Sequence, residues 1–328
     1  MDMNKAAQLR VILGTGGTIA GRSSSTSDNV GYKAGEVGIG DLVDAVPPLK
    51  RFDLEVEQVA QIDSKDMGLA VWLPLAERVA HHLGRDGVQG VVITHGTDTL
   101  EETAWFLQTL LQPNKPVVLT CAMRPSTALV PDGPQNLLDA VAVAGITGLS
   151  GVVAVCAGQI HSAAHVAKVH SYRLDAFDSG DAGPMGCVEE GEVRWYHCFD
   201  FARSGPVVDS HSLAKLKRLG QLPRVAIVTS HADSDGAVVQ GLMALGRQNQ
   251  VEAIQGIVVA CTGNGTVHAE LQKALQEAQA MGVRVVRATR CARGRVIPSE
   301  QAVFPDSKGL SPLKARLALA LDLMSEAV

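Results

Sequence analysis

Two short loops hold the reactive groups of this sequence, Gly14-Thr-Gly-Gly-Thr18 and His95-Gly-Thr-Asp-Thr99. A threonine hydroxyl is a poor nucleophile until a neighbour takes its proton. Asp98, Lys168, Tyr32 or a water are the candidates for that task. Glycine lets a backbone turn sharply and come close to a ligand, so its N–H groups can hold a developing oxyanion. Ser64, Ala122 through its backbone N–H, and Asn264 bring further polar groups to strand ends. Hydroxyls, a carboxylate and backbone donors around one cleft suit acyl transfer. In a parallel sheet these C-terminal strand ends share one edge.

Each group also has a plainer reading. Gly-Gly-Thr can be only a tight turn. Thr97 or Asp98 can cap a helix, although Thr99 fills that place better. Lys168 can be a solvated surface charge, and Asn264 between two glycines a turn residue. The shared sheet edge favours the functional reading over these separate ones. A nucleotide loop fails on spacing, because Ile19 stands where a dinucleotide fingerprint needs glycine and no Gly-Lys-Ser/Thr follows. His161 and His165 are spaced to share a helix face as metal ligands do, but no third ligand is evident. His95 could act as a general base. Its place at a strand end favours a satisfied buried histidine.

The elements that must carry these loops follow from periodicity. Val11–Leu13, residues 54–62, Gly90–Thr94, Pro116–Ala122 and Gly151–Val155 read as strands. Helices are expected from the cap Asp63-Ser-Lys-Asp66 through Leu83, from a capping box of Thr99 and Glu102 through Leu111, and from Gln135 to Gly145. Strands alternating with helices mean βαβ units and a parallel sheet. Arg22–Asn29 reads as a mobile surface loop, and with Tyr32 behind it as a lid. Residues 156–203 are irregular, with hairpin-like runs. A second series has strands at 224–229, 256–261 and 283–286, helices at 237–248 and 267–281, and a last helix from Ser311-Pro312. The expectation is a two-domain α/β chain. A larger N-terminal catalytic domain, mostly parallel sheet with helices on both faces, spans 1–202. A linker covers 203–222 and a smaller α/β domain 223–328.

The bulk numbers bound the class. With 46% hydrophobic and 19% charged residues, the 328-residue chain reads as globular rather than disordered. A net charge of -5 gives no electrostatic case for nucleic acid. No apolar run reaches membrane-spanning length, and Met1–Arg10 has no apolar h-region. A cytoplasmic protein is therefore expected, or a periplasmic one if a signal has been removed. The six cysteines are scattered without Cys-x-x-Cys pairs, which favours buried free thiols over zinc.

Leu13-Gly-Thr-Gly-Gly-Thr-Ile-Ala-Gly21, Thr94-His-Gly-Thr-Asp-Thr-Leu-Glu-Glu-Thr103 and Ala122-Met-Arg-Pro-Ser-Thr127 with Asp132-Gly-Pro-x-Asn136 together resemble the bacterial type II L-asparaginases. The similarity runs from the first strand to Leu313-Lys-Ala-Arg-Leu317. It implies hydrolysis of asparagine to aspartate and ammonia without a cofactor, in a homotetramer of intimate dimers whose sites form between subunits. It also implies roles. Thr18 is the nucleophile, and Tyr32 helps to activate it. Thr97, Asp98 and Lys168 form a second triad. Gly17, Ser64 and Ala122 line the substrate, with Ser64 on its α-carboxylate and Asp98 on its α-ammonium. Asn264 and Glu300 come from the neighbouring subunit, with Gln301 competing for the place of Glu300. Glutaminase-asparaginase activity, a hydrolase for a modified asparagine, and a non-catalytic amino-acid sensor are the alternatives.

One residue departs from that pattern. After the serine the family usually carries Gln or Glu, which helps to bind the substrate ammonium, and this chain has Lys65. Like charges about 4 Å apart repel by more than a single charged hydrogen bond returns. Lys65 therefore either turns away to a carboxylate such as Asp66 or Glu300, or the substrate is not simple asparagine.

Overall fold

Val11–Leu13, Val91–Ile93, Val117–Leu119 and Val152–Val155 are at most 1% exposed along their whole length. Strands buried on both faces belong to a parallel sheet covered by helices on each side. The computed structural model describes residues 8–196, 212–247 and 252–327. The chain divides into two compact units, Met1–Gly205 and Pro206–Val328.

The first unit runs β1 (Leu9–Gly16), α1 (Ile39–Asp44), β2 (Leu54–Ile62), α2 (Leu69–Leu83), β3 (Val88–Thr94), α3 (Leu100–Leu111), β4 (Pro116–Thr120), α4 (Gly133–Ala144), β5 (Gly151–Cys156), β6 (Gln159–Ser162), β7 (Ala167–Lys168), β8 (Phe177–Asp178), β9 (Gly186–Glu189) and β10 (Glu192–Trp195). Its main sheet has the order β10-β9-β6-β5-β4-β3-β1-β2. Neighbours from β2 to β5 pair in parallel, and β6, β9 and β10 extend the sheet antiparallel. Ile12, Val92, Val118 and Val153 are register partners across four strands. They pack with Ile39 and Leu42 of α1 and with Leu137 and Ala140 of α4 in one cluster. Side chains alternate along a strand, so Val11, Val91, Val117 and Val152 face the other way. That face is covered by α2 and α3, where Trp72 stacks on Phe106 at 4.8 Å.

The second unit runs α5 (Ser212–Leu219), β11 (Val225–Thr229), α6 (Ala237–Arg247), β12 (Gly256–Cys261), α7 (Ala269–Ala280), β13 (Arg284–Thr289) and α8 (Pro312–Glu326). Its three strands are parallel, in the order β11-β12-β13. Ile257 and Val259 pack towards α7, while Val258 packs against Ala315 and Leu319 of α8. The fold is thus a larger α/β unit followed by a smaller one.

Several local expectations need correction. Asp63 caps a separate 3-10 turn, Ser64–Asp66, and accepts from the Lys65 N–H at 3.3 Å. Helix α2 starts at Leu69 behind Gly68, with no side-chain cap. Thr99 is the N-cap of α3 but makes no cap bond, so the capping box does not form. Its hydroxyl donates to the Ser64 carbonyl instead, at 2.8 Å. Within the stretch read as a linker, Ser212–Leu219 is a helix with Leu216 fully buried. His161 lies on β6 and His165 in the turn after it, so they share no helix face. Residues 203–211 of the linker stretch, the end of its irregular predecessor at 197–203, Cys198, Gln248, and residues 1–7 of the segment read for a signal lie outside the described residues.

Candidate active site

The end of β1 is built for close approach. Gly16 and Gly17 have φ of 103° and 81°, in the left-handed region that suits glycine. The Gly17 N–H donates to the Ile62 carbonyl at 2.9 Å, and the Gly17 carbonyl accepts from the Gly35 N–H at 3.1 Å. Thr15 donates to the Thr94 carbonyl at 2.8 Å, so its hydroxyl ties β1 to β3. Thr18 starts a short 3-10 turn and is buried. Its Oγ1 lies 2.6 Å from the Tyr32 phenol oxygen. The loop between them is stitched down on both sides. Arg22 and Lys33 exchange backbone hydrogen bonds, the Ser126 hydroxyl donates to the Gly21 carbonyl at 2.8 Å, and the Leu129 N–H donates to the Thr26 carbonyl at 3.0 Å.

The end of β3 brings the second threonine. A Cβ on Gly17 would strike the Gly96 backbone, and one on Gly96 would strike the Ser64 side chain. The Gly17 and Gly96 loops therefore pack backbone to backbone, with the Ser64 side chain against Gly96. Lys168, on β7, donates to Thr97 Oγ1 at 2.8 Å and to Asp98 Oδ1 at 2.6 Å. Thr97 is buried, whereas the Asp98 side chain is 53% exposed. The Asp98 N–H donates to Ser64 Oγ at 3.2 Å. That contact uses Ser64 as an acceptor and leaves its hydroxyl proton for another group. Lys168 is thus not the solvated charge of the plainer reading. Its backbone N–H reaches the carboxylate of Glu101 at 3.4 Å, a contact that no spacing in the sequence signals.

Ala122 follows β4 and is held by a polar frame. Asp132 accepts from the N–H groups of Met123 and Arg124 at 2.9 and 3.0 Å. Asn136 donates to the Cys121 carbonyl at 2.9 Å and accepts from the Ala157 N–H at 3.0 Å. The one-turn spacing of Asp132 and Asn136 at a helix start is the signal that could have marked them.

Lys65 turns to carboxylates, at 2.8 Å from Asp63 and 3.1 Å from Asp66. The hydrogen bonds to Asp63 and then Asp66 raise its pKa. Asp66 was an expected partner; Asp63 was not. His95 is fully buried, and burial pushes its pKa down to about 4, so it is only a weak proton acceptor. Its ring nitrogens are already taken by the Gly96 carbonyl and the Thr103 hydroxyl. His161 Nδ1 contacts Ser179 Oγ at 2.8 Å and His165 Nδ1 contacts Ser162 Oγ at 3.0 Å. Among the described residues no group of three or more His, Cys, Asp or Glu side chains could hold a metal ion. No helix among them is long and apolar enough to cross a membrane. In the second unit, Asn264 sits between Gly263 and Gly265, both at positive φ, and accepts from the Ile297 N–H at 2.7 Å. Glu300 is exposed in a nearby turn.

Two glycine-tightened strand ends bring two threonines and a carboxylate together, with a lysine from β7 joining the second threonine, in an α/β unit. The family model "Asparaginase, N-terminal" matches residues 11–199, and "Glutaminase/Asparaginase C-terminal domain" matches residues 224–327. L-asparaginase 2 of Bacillus subtilis (strain 168) is 36% identical over 323 residues, covering 95% of this chain and 81% of that protein. Glutaminase-asparaginase of Pseudomonas fluorescens biotype A is 37% identical over 317 residues, covering 94% and 84%. The crystal structure of "Probable Cytoplasmic L-asparaginase from Campylobacter jejuni" superposes with a TM-score of 0.86 at 39% identity, covering 96% of this chain and 94% of that one. The chain belongs to the asparaginase family.

Proposed function

We propose that this protein hydrolyses the side-chain amide of L-asparagine to L-aspartate and ammonia through an acyl-enzyme on Thr18. The observation that carries the reading is the pairing of Thr18 with Tyr32 and of Thr97 with Lys168 and Asp98, on loops that meet at Gly17 and Gly96. Thr18 Oγ1 attacks the amide carbon while its proton passes towards Tyr32, 2.6 Å away. The Ala122 backbone N–H faces the developing oxyanion. The C–N bond breaks and ammonia leaves with the proton. A water held by Thr97 then attacks the ester. Lys168 donates to Thr97 Oγ1 and so lowers the cost of negative charge there. Breaking the ester returns a proton to Thr18.

The same cleft recognises an amino acid. The Ser64 hydroxyl proton suits the α-carboxylate, the half-exposed Asp98 carboxylate suits the α-ammonium, and Gly17 lets the substrate approach the backbone. Lys65 is occupied by Asp63 and Asp66, which favours ordinary asparagine over a substrate with a blocked amine. Asn264 and Glu300 are assigned to the site of a neighbouring copy in a homotetramer. The described cysteines are all free thiols, which fits a reducing cytoplasm.

Ammonia release from L-asparagine, L-glutamine, D-asparagine and an N-blocked asparagine tests the reading. Fast release from L-asparagine, abolished in Thr18→Ala, is expected. Strong release from L-glutamine as well would make the activity a glutaminase-asparaginase. Binding of L-asparagine without release from any amide would overturn the reading in favour of a sensor.

A further inference from the structure

Strands β4 and β5 run parallel with Thr120 beside Val155. The next residues along, Cys121 and Cys156, are therefore neighbours too. Their sulfurs are 3.4 Å apart and both side chains are buried. Neighbouring strands lie about 4.8 Å apart, within the Cα separations that a disulfide bridges. The hydrogen bond to Cys156 and burial hold the Cys121 pKa well above the ordinary thiol value. Both cysteines are free, and nothing in the proposed reaction uses them.

We propose that Cys121 and Cys156 are a peroxide-responsive modification site that closes to a reversible disulfide beneath the Ala122 loop. Burial selects a small oxidant, hydrogen peroxide. The Cys156 thiol, the more exposed of the two at 4% against 1%, reacts first. Its sulfur attacks one peroxide oxygen, the O–O bond breaks, and the leaving oxygen takes the Cys156 proton and departs as water. The sulfur of Cys121 then attacks the Cys156 sulfenic acid. The S–S bond forms, the S–O bond breaks, and the hydroxyl leaves with the Cys121 proton as a second water. Two electrons pass from the two thiols to the peroxide, and a dithiol reductant returns them.

Closing the pair brings the sulfurs from 3.4 Å to a bond of about 2 Å. Ala122 is the next residue, and the Cys121 carbonyl is held by Asn136, which also accepts from the Ala157 N–H, so strain from closing the pair falls on the backbone that carries the Ala122 N–H. A displacement of about 1 Å beside a reacting centre costs on the order of a hundredfold in rate. This effect on activity rests on the amidohydrolase reading; the disulfide does not.

The test treats the full-length reduced protein with hydrogen peroxide, blocks the remaining thiols with an alkylating agent, and maps peptides without reduction. A cross-linked pair carrying Cys121 and Cys156, lighter by two hydrogens, is expected. With it, ammonia release should fall about tenfold or more and recover with dithiothreitol. Cys156→Ser, or Cys156→Ala if a buried hydroxyl impairs folding, should show neither effect. Two thiols that stay alkylatable, or sulfinic acid without a cross-link, would overturn the proposal. A cross-link with unchanged ammonia release would overturn its coupling to Ala122. If the untreated protein releases no ammonia, the amidohydrolase reading fails while the peptide map still decides the disulfide.

Discussion

Gly17 lies against Gly96 backbone to backbone, with no room for a Cβ on either residue. That contact sets the separation of the loops that carry Thr18 and Thr97. Gly96→Ala must push the Ser64 side chain aside and pry the loops apart. Overpacking of this kind costs about 1–3 kcal/mol, so the variant should fold. Its kcat for ammonia release should fall about a hundredfold, since the loss comes from misplacement by about 1 Å. Steady-state kinetics beside a urea titration check this. Unchanged kcat would mean that the loops tolerate a methyl group and that their spacing is not critical.

Lys168 donates to both Thr97 and Asp98. Lys168→Met removes that donor and should lower kcat by about 10²–10⁴-fold. Groups that act as a unit are not additive. Thr97→Ala combined with Lys168→Met should therefore be little worse than the more damaging single variant. Losses that multiply would show that the lysine acts independently of the threonine.

The central strands β1, β3, β4 and β5 were legible because they are apolar runs rich in Val, Ile and Leu and buried on both faces, and such runs have few alternatives. Thr15, Thr18, Thr97, Asp98 and Ala122 were legible for the same reason, since they lie at or just past the ends of such runs. The caps of α2 and α3 were not. Asp63 caps the 3-10 turn at Ser64 rather than α2, and the Thr99 hydroxyl found the Ser64 carbonyl instead of the end of α3. Tertiary partners outcompete local ones, and local sequence does not record them. Helix α5 was hidden because half of its eight residues are Ser, Lys or Arg and few of its side chains are buried. Lys215 anchors it by donating to the Ser325 carbonyl, more than a hundred residues away. The Glu101 contact and the dithiol likewise depend on elements far apart in sequence.

Lys65 is turned to Asp63 and Asp66 and its side chain is 61% exposed. Exposed pairs of this kind contribute little to stability. Lys65→Gln should leave the KM for L-asparagine within about threefold and the melting temperature nearly unchanged. A KM that falls tenfold or more would mean that Lys65 repels the substrate ammonium, and would move the preferred substrate towards amides without a free amine.

His95 supplies a pH signature. Trp72 Nε1 can only donate, and it donates to the Thr103 hydroxyl at 2.8 Å. That hydroxyl donates in turn to His95 Nε2 at 2.9 Å, and His95 Nδ1–H donates to the Gly96 carbonyl at 2.7 Å. Every link is filled by the neutral imidazole. Burial lowers its pKa from 6.5 to about 4. A depressed folded-state pKa means that the unfolded chain binds the proton first as pH falls. Stability from this residue is therefore full above pH 6.5 and is lost on acidification towards pH 4. The loss amounts to about 3 kcal/mol. Urea midpoints measured from about pH 7 to about pH 4.5 should fall more steeply for the wild type than for His95→Asn, whose side chain does not titrate there. Parallel slopes in the two proteins would show that His95 accepts a proton in the folded state and that the Trp72–Thr103 chain does not hold it neutral.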